Sequence, residues 1–286
     1  MSPYSVIFCG TPAFAVPSLT ALIADPRFAV NLVISQPDKP AGRKLLPAPS
    51  PVKAAAEKYG IPVCQPIDIN EEWGRQSPPD FLVVVAYGQI LGQPLLDLPR
   101  LAPVNLHASL LPRWRGASPI QHAILAGDRE TGVTIQRMVR ELDAGPILAR
   151  ATTPIAARET VRTLGDRLAR MGADLLLRTL TRPLEEILQD AAEITACRKL
   201  TRADGAVSPR ERTAEDIDRT VRALVPWPGV TCRIRDAEVK LLETALAETP
   251  GSIPIPCAES TILHVVSLQS PGRKPLTGKE WERGMR

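Results

Sequence analysis

Aromatic residues make up only 4% of the 286 positions, and histidine occurs three times. Three histidines without ligand spacing offer no metal site, so no metal is expected. The five cysteines, Cys9, Cys64, Cys197, Cys232 and Cys257, are odd in number, scattered, and form no Cys-x-x-Cys pair. This speaks against a structural zinc or a dithiol redox motif and for reduced thiols in a cytoplasmic protein. No apolar run approaches the roughly 20 residues needed to span a bilayer. The start lacks a basic stretch followed by an apolar one, so no secretory leader and no membrane partner are expected. Also missing is a G-x-G-x-x-G turn. The first strand-to-helix turn reads Gly10-Thr11-Pro12-Ala13-Phe14-Ala15. With one glycine and a proline it disfavours close approach of a pyrophosphate, and hence a nicotinamide cofactor.

What is abundant is proline, 29 residues, about twice average usage, which argues for many short, defined loops. Hydrophobic content of 44% and charge of 23% are those of a globular chain, long enough for two domains or one large one. The net charge of +4 fits a polyanionic partner such as RNA without demanding one. From residue 200 onward, 13 Lys and Arg stand against 12 Asp and Glu, so the charge is spread out.

Along the chain, residues 4–9 read as a buried strand, 15–24 as a helix and 29–35 as a second strand. Residues 36–51 form a long proline-rich segment with Arg43 and Lys44 at its middle. Loops of this length are usually functional or disordered. This one reads either as a solvated surface loop or as a basic finger that docks a phosphate backbone. Residues 52–59 suggest a helix stopped by Gly60, and 61–63 a short strand. The unbroken apolar run at 80–87 has the character of a parallel strand buried on both faces. Residues 159–181 carry Leu164, Leu168, Leu175, Leu176 and Leu180 on or near one helical face. Residues 182–203 shift in composition and read as a linker. Thr213 and Asp216 open a helix that runs through Leu224. Strands are expected at 230–235, 238–246 and 261–268, which suggests a small antiparallel barrel.

The chemistry gathers at residues 103–119. Side chains alternate along a strand, so Asn105 and His107 point the same way, just ahead of Ser109-Leu110-Leu111-Pro112 and a loop closed by Gly116. Asn-x-His alone is more often structural than catalytic. Ala86, Tyr87 and Gly88 fall at the carboxyl end of the neighbouring strand, where open α/β sheets bind ligands. In Leu142-Asp143-Ala144-Gly145, the aspartate is by itself an ordinary turn former. A helix is expected after Gly116, with Pro119 in its first turn, Gly127 past its end and His122 in a structural or solvated place.

Taken together, Asn-x-His-x-Ser-Leu-Leu-Pro-x-x-x-Gly, the Gly10-Thr11-Pro12 turn, Val83-Val84-Val85-Ala86-Tyr87-Gly88, Leu-Asp-x-Gly and Pro226-Trp227-Pro228-Gly229 resemble the signatures of the folate-dependent formyltransferases. The Gln36-Pro37-Asp38-Lys39-Pro40-Ala41-Gly42-Arg43 segment is similar to the finger with which the tRNA-acting members engage an acceptor stem. The resemblance implies an α/β fold: a Rossmann-like domain with a mostly parallel sheet over 1–182, a linker over 183–203, and an oligonucleotide-binding-like β-barrel for tRNA over 204–286. It implies Asn105, His107 and Asp143 as catalytic residues. Ser109, Leu110, Leu111, Pro112, Ala86, Tyr87 and Gly88 would line the folate cleft, and Arg43 and Lys44 would contact tRNA. The co-substrate would be 10-formyltetrahydrofolate, the acceptor methionyl-initiator tRNA, and the protein a monomer. Two other readings stay open: a folate-dependent formyltransferase acting on a sugar-nucleotide amine, and a non-enzymatic RNA-binding protein.

Overall fold

Runs of Val, Ile and Leu too short for helices form the strands of a central sheet in a computed structural model, which describes residues 2–41, 46–72, 77–235 and 237–284. Its strands are β1 (Tyr4–Gly10), β2 (Phe28–Ile34), β3 (Val63–Cys64), β4 (Phe81–Val85), β5 (Ala102–His107), β6 (Glu130–Arg137) and β7 (Ile147–Pro154). They lie in the order β7-β6-β5-β4-β1-β2-β3. The pairs β1/β2, β1/β4, β4/β5 and β2/β3 are parallel, and β5/β6 is antiparallel. Every side chain of β4 is buried, as a strand covered on both faces requires. The chain leaves β1 toward β2 on one side and later returns to β4 on the other. The crevice at the carboxyl ends of β1 and β4 is therefore a topological switch point.

Two sequence boundaries differ from expectation. The strand expected over 80–87 stops at Val85, because Ala86 turns left-handed at φ 47°. The expected barrel strands are also two short, lacking Ile253–Pro256 and Leu276–Thr277. Ile253–Pro256 is a strand despite two prolines, and it lies at the end of its sheet, where a missing N–H costs no ladder bond.

Helices α1 (Val16–Ala24), α2 (Pro51–Lys58), α3 (Pro119–Leu125), α4 (Val161–Leu180) and α5 (Ala214–Leu224) follow local signals. Ser50 caps α2, its hydroxyl accepting from Lys53 N at 3.0 Å, and Gly60 takes φ 68° beyond the end. Thr213 caps α5 in the same manner, accepting from Asp216 N at 3.2 Å. In α4, Leu164, Leu168, Leu175, Leu176 and Leu180 are all buried, each worth roughly 1.5–3 kcal/mol against exposure. Gly172 lets α4 lie directly on β5, since a Cβ there would come within 2.6 Å of Leu106 Cδ1.

Contacts divide the chain into two compact units that interleave in sequence. Met1–Gly116, Thr131–Thr153 and Gly165–Ala196 form the first, and Ala117–Glu130, Pro154–Leu164 and Cys197–Arg286 the second. The second holds an antiparallel five-stranded sheet of β8 (Val230–Ile234), β9 (Ala237–Ala245), β10 (Ile253–Pro256), β11 (Ile262–Gln269) and β12 (Leu276–Thr277). Asp218 of α5 is its polar centre, 1% exposed. The carboxylate accepts from Arg158 Nη1 at 2.8 Å, Arg222 Nε at 2.9 Å and Thr244 Oγ1 at 2.8 Å. No helix among the described residues is long and apolar enough to cross a membrane.

Two predictions follow from this packing. Asp218→Ala strands Arg222, whose side chain is 14% exposed, and should cost about 3 kcal/mol, read from the urea unfolding midpoint. Burial pushes the Cys232 thiol up to about 12 and raises that of Cys9 as well, while Cys64 is exposed. Native alkylation near neutral pH should therefore modify Cys64 and spare Cys9, Cys197 and Cys232 until denaturant is added, as peptide mass mapping would show.

Candidate active site

Strand β5 delivers Asn105 and His107 to the carboxyl edge of the sheet, and the turn after β6 brings Asp143 to meet them. Asp143 sits at φ 52°, a left-handed conformation that aspartate tolerates better than most residues. Its Oδ1 lies 3.4 Å from Asn105 Nδ2, 3.5 Å from His107 Nδ1 and 2.9 Å from Gln136 Nε2. Its Oδ2 accepts from Gly116 N at 2.9 Å. Asn105 and His107, paired by strand alternation, thus meet the carboxylate of Asp143, the residue added by the family resemblance. The side chains of His107 and Asp143 are 7% and 9% exposed, so water screens their interaction little.

The second imidazole nitrogen fixes the tautomer. His107 Nε2 lies 2.9 Å from the Trp114 carbonyl oxygen, and a carbonyl can only accept, so Nε2 carries a hydrogen. The other ring nitrogen, Nδ1, faces Asp143. Trp114 holds φ 61°, a left-handed backbone conformation.

The Ser109–Pro112 segment is held by its backbone. The Ser109 hydroxyl donates to Arg113 O at 2.5 Å. Thr134 Oγ1 donates to Ser109 O at 2.7 Å and accepts from Leu111 N at 3.1 Å. Arg150 Nη1 donates to Leu111 O at 3.1 Å. The Leu111 side chain is fully buried, and Leu110 is half-buried. Across the switch point, Thr11 Oγ1 donates to Tyr87 O at 2.8 Å. Ala86 and Gly88 are exposed, whereas the Tyr87 ring is packed with Ile7, Ile34 and Leu91 in the core. Any part of Tyr87 in a ligand cleft is therefore played by its backbone. His122 Nδ1 lies 2.8 Å from Ser118 O, a local helix contact.

Arg43 and Lys44 lie outside the described residues. The strands flanking them, Lys39–Ala41 and Leu46–Ala48, pair antiparallel. At their base Lys53 Nζ donates to Asp38 Oδ2 at 2.7 Å, and Gln65 Nε2 donates to Asp38 Oδ1 at 2.7 Å. The Lys53 bond first, and then that of Gln65, hold the Asp38 carboxyl below the usual carboxylate range.

Four contributors escaped sequence reasoning. Gln136 stands opposite Asn105 in the β5/β6 register, a pairing that no single-sequence signal marks. Thr134 stands opposite His107 in the same ladder. Gln189 and Thr195 come from the segment read as a linker. Gln189 Nε2 donates to Asp143 O at 2.8 Å and Gly145 O at 2.7 Å, and Thr195 Oγ1 accepts from Trp114 N at 2.8 Å. Among the described residues no cluster of His, Cys, Asp and Glu could hold a metal ion.

Asn105 Nδ2, Gln136 Nε2 and Gly116 N all donate to the Asp143 carboxylate. Asp143→Asn must turn an NH2 group against one of them, which should cost about 1–3 kcal/mol, read from the thermal unfolding midpoint. A variant as stable as the parent would show that the donors do not act together.

Comparison with known proteins gives a consistent result. The family model described as Formyl transferase matches residues 4–180, and that described as Formyl transferase, C-terminal domain, matches 199–286. A methionyl-tRNA formyltransferase of Paracoccus denitrificans is 45% identical, covering 98% of this chain and 97% of its own. One from Halorhodospira halophila is 43% identical, covering 98% and 96%. Among solved structures, an N-formyltransferase of Helicobacter canadensis with folinic acid and dTDP-3-aminofucose aligns with TM-score 0.68 at 17% identity, over 92% of this chain and 98% of its own. HypX from Aquifex aeolicus with tetrahydrofolic acid aligns with TM-score 0.65 at 15% identity, over 98% of this chain and 47% of its own. These two similarities speak for the fold alone.

Proposed function

This chain belongs to the formyl transferase family, beside the methionyl-tRNA formyltransferases, and from that premise we propose where and how it transfers a formyl group to methionyl-initiator tRNA for translation initiation. The donor is 10-formyltetrahydrofolate. The reaction runs at Asn105, His107 and Asp143, within a catalytic part spanning residues 1–182, while 204–286 hold the tRNA. A cytoplasmic monomer suits this task. The observation that carries the assignment is the meeting of an amide, an imidazole and a carboxylate at Asp143 Oδ1, within 3.5 Å, at the carboxyl edge of the sheet.

The α-amine of the esterified methionine attacks the formyl carbon. Charge then develops on the formyl oxygen and on the attacking nitrogen. Asn105 donates an amide N–H to that oxygen, a contact worth most in the transition state. His107 passes a proton from Nδ1, by way of water, to the departing N10 of the folate, so that the C–N10 bond breaks to release tetrahydrofolate. Asp143 orients the imidazole and, through water, takes the proton that the new amide sheds. Ala86, Gly88 and the backbone of Tyr87 wall the folate on one side, with Ser109–Pro112 on the other. Arg43 and Lys44 engage the tRNA phosphates.

With 10-formyltetrahydrofolate and methionyl-initiator tRNA, purified protein should yield formylmethionine after release from the tRNA, identified by mass. His107→Ala should lower kcat by at least ~10²-fold with an unchanged unfolding midpoint. Parental turnover in that variant would remove the imidazole from the mechanism. Arg43→Ala should raise KM for tRNA, most at low salt and less as salt rises, and leave folate binding alone. An unchanged KM for tRNA would leave the segment a plain surface loop.

A further inference from the structure

The two groups that touch His107 are both held by one strap of chain, residues 187–195. The strap lies between the two family-model matches, which end at 180 and begin at 199. Its first anchor is the sheet edge, where Ile187 N donates to Ile147 O at 2.9 Å and Ile147 N to Ile187 O at 2.8 Å. Its last is the loop after β5, where Arg115 N donates to Thr195 O at 2.9 Å and Thr195 N to Pro112 O at 3.3 Å.

Between these anchors the strap reaches the site twice. Gln189 gives both amide hydrogens to the Asp143 turn and accepts from Arg115 Nε at 2.9 Å. The two carbonyls can only accept and the guanidinium can only donate, so one orientation of the amide satisfies all three. The turn it clamps has no slack. Asp143 is left-handed, and a Cβ on Gly145 would fall 1.8 Å from Arg137 O. Thr195 accepts from Trp114 N, and Trp114 offers its carbonyl to His107 Nε2. The strap buries little apolar surface of its own: Ile187, Leu188 and Ile194 are 60%, 83% and 41% exposed. Hydrophobic burial therefore does not explain its course, and its polar bonds are spent on the two loops that grip the imidazole.

We infer that Gln189 and Thr195 are positioning residues for formyl transfer, Gln189 acting through Asp143 and Thr195 through Trp114. This rests on the catalytic reading of His107 and Asp143 given above. Loss of either should move the imidazole or its carboxylate by a fraction of an ångström. That slows chemistry and leaves substrate binding as it was.

The test compares Gln189→Ala, Thr195→Val and Thr195→Ser in the full chain, by steady-state kinetics with both substrates across pH. Gln189→Ala and Thr195→Val should each lower kcat on the order of 10-fold, with both KM values and the unfolding midpoint unchanged. They should also move the pH profile of kcat. Thr195→Ser, which keeps the hydroxyl, should restore the parental rate. Combined with Asp143→Ala, Gln189→Ala should add no further loss, because the carboxylate it positions is gone. Parental kcat in Gln189→Ala and Thr195→Val, or a full additional loss in the double variant, would overturn the inference. If Gln189→Ala fails to fold, the Thr195 pair decides alone. Parental kcat in His107→Ala would instead remove the catalytic reading. A loss in His107→Ala with none in the strap variants would remove only the strap's role.

Discussion

A carboxylate that accepts hydrogen bonds from separate stretches of chain fixes those stretches relative to one another. Asp143 takes donors from β5 through Asn105, from β6 through Gln136, and from the loop after β5 through Gly116 N. His107 adds its Nδ1 to the same oxygen. A nearly buried anion keeps its place only while such donors surround it. The turn that carries it, the strand ends that face it and the strap behind it are therefore interdependent. Within the proposed reaction the same carboxylate orients the imidazole, so the arrangement that stabilises the site is also the one that prepares it.

The sheet supplies the rigid part of this arrangement. Parallel strands β1, β4 and β5 end at one edge, and the chain reverses direction across β1 and β4, opening a crevice there. Left-handed residues Ala86 and Gly88 end β4 and leave backbone groups exposed at that crevice. On the other side the Ser109–Pro112 segment is laced by Thr134 and Arg150.

The second unit has its own polar centre in Asp218, which ties α5 to Arg158 and Thr244. Arg158 lies within the stretch covered by the N-terminal family model, and Asp218 within that covered by the C-terminal one. The boundaries of sequence families and of packed units therefore differ here, because the chain passes between units more than once. A division at residues 182 and 203 follows composition, which registers polarity but not return crossings.

The sequence by itself determined what depends on near neighbours. The buried run at β4, the capped starts of α2 and α5, the leucine face of α4 and the alternation that aligns Asn105 with His107 are all set by local sterics and period. The grouping of Asp143 with those two was legible because its motif resembles a known family, while its geometry alone read as a turn. Only the tertiary structure decided what depends on long-range pairing. The β5/β6 register sets Gln136 beside Asp143, burial turns the Tyr87 ring into the core, and an edge position admits the two prolines of β10. Gln189 and Thr195 belong to the same class. Their partners lie 44 to 81 residues away, and hydrogen bonds closed over such distances leave no periodic mark in the segment that makes them.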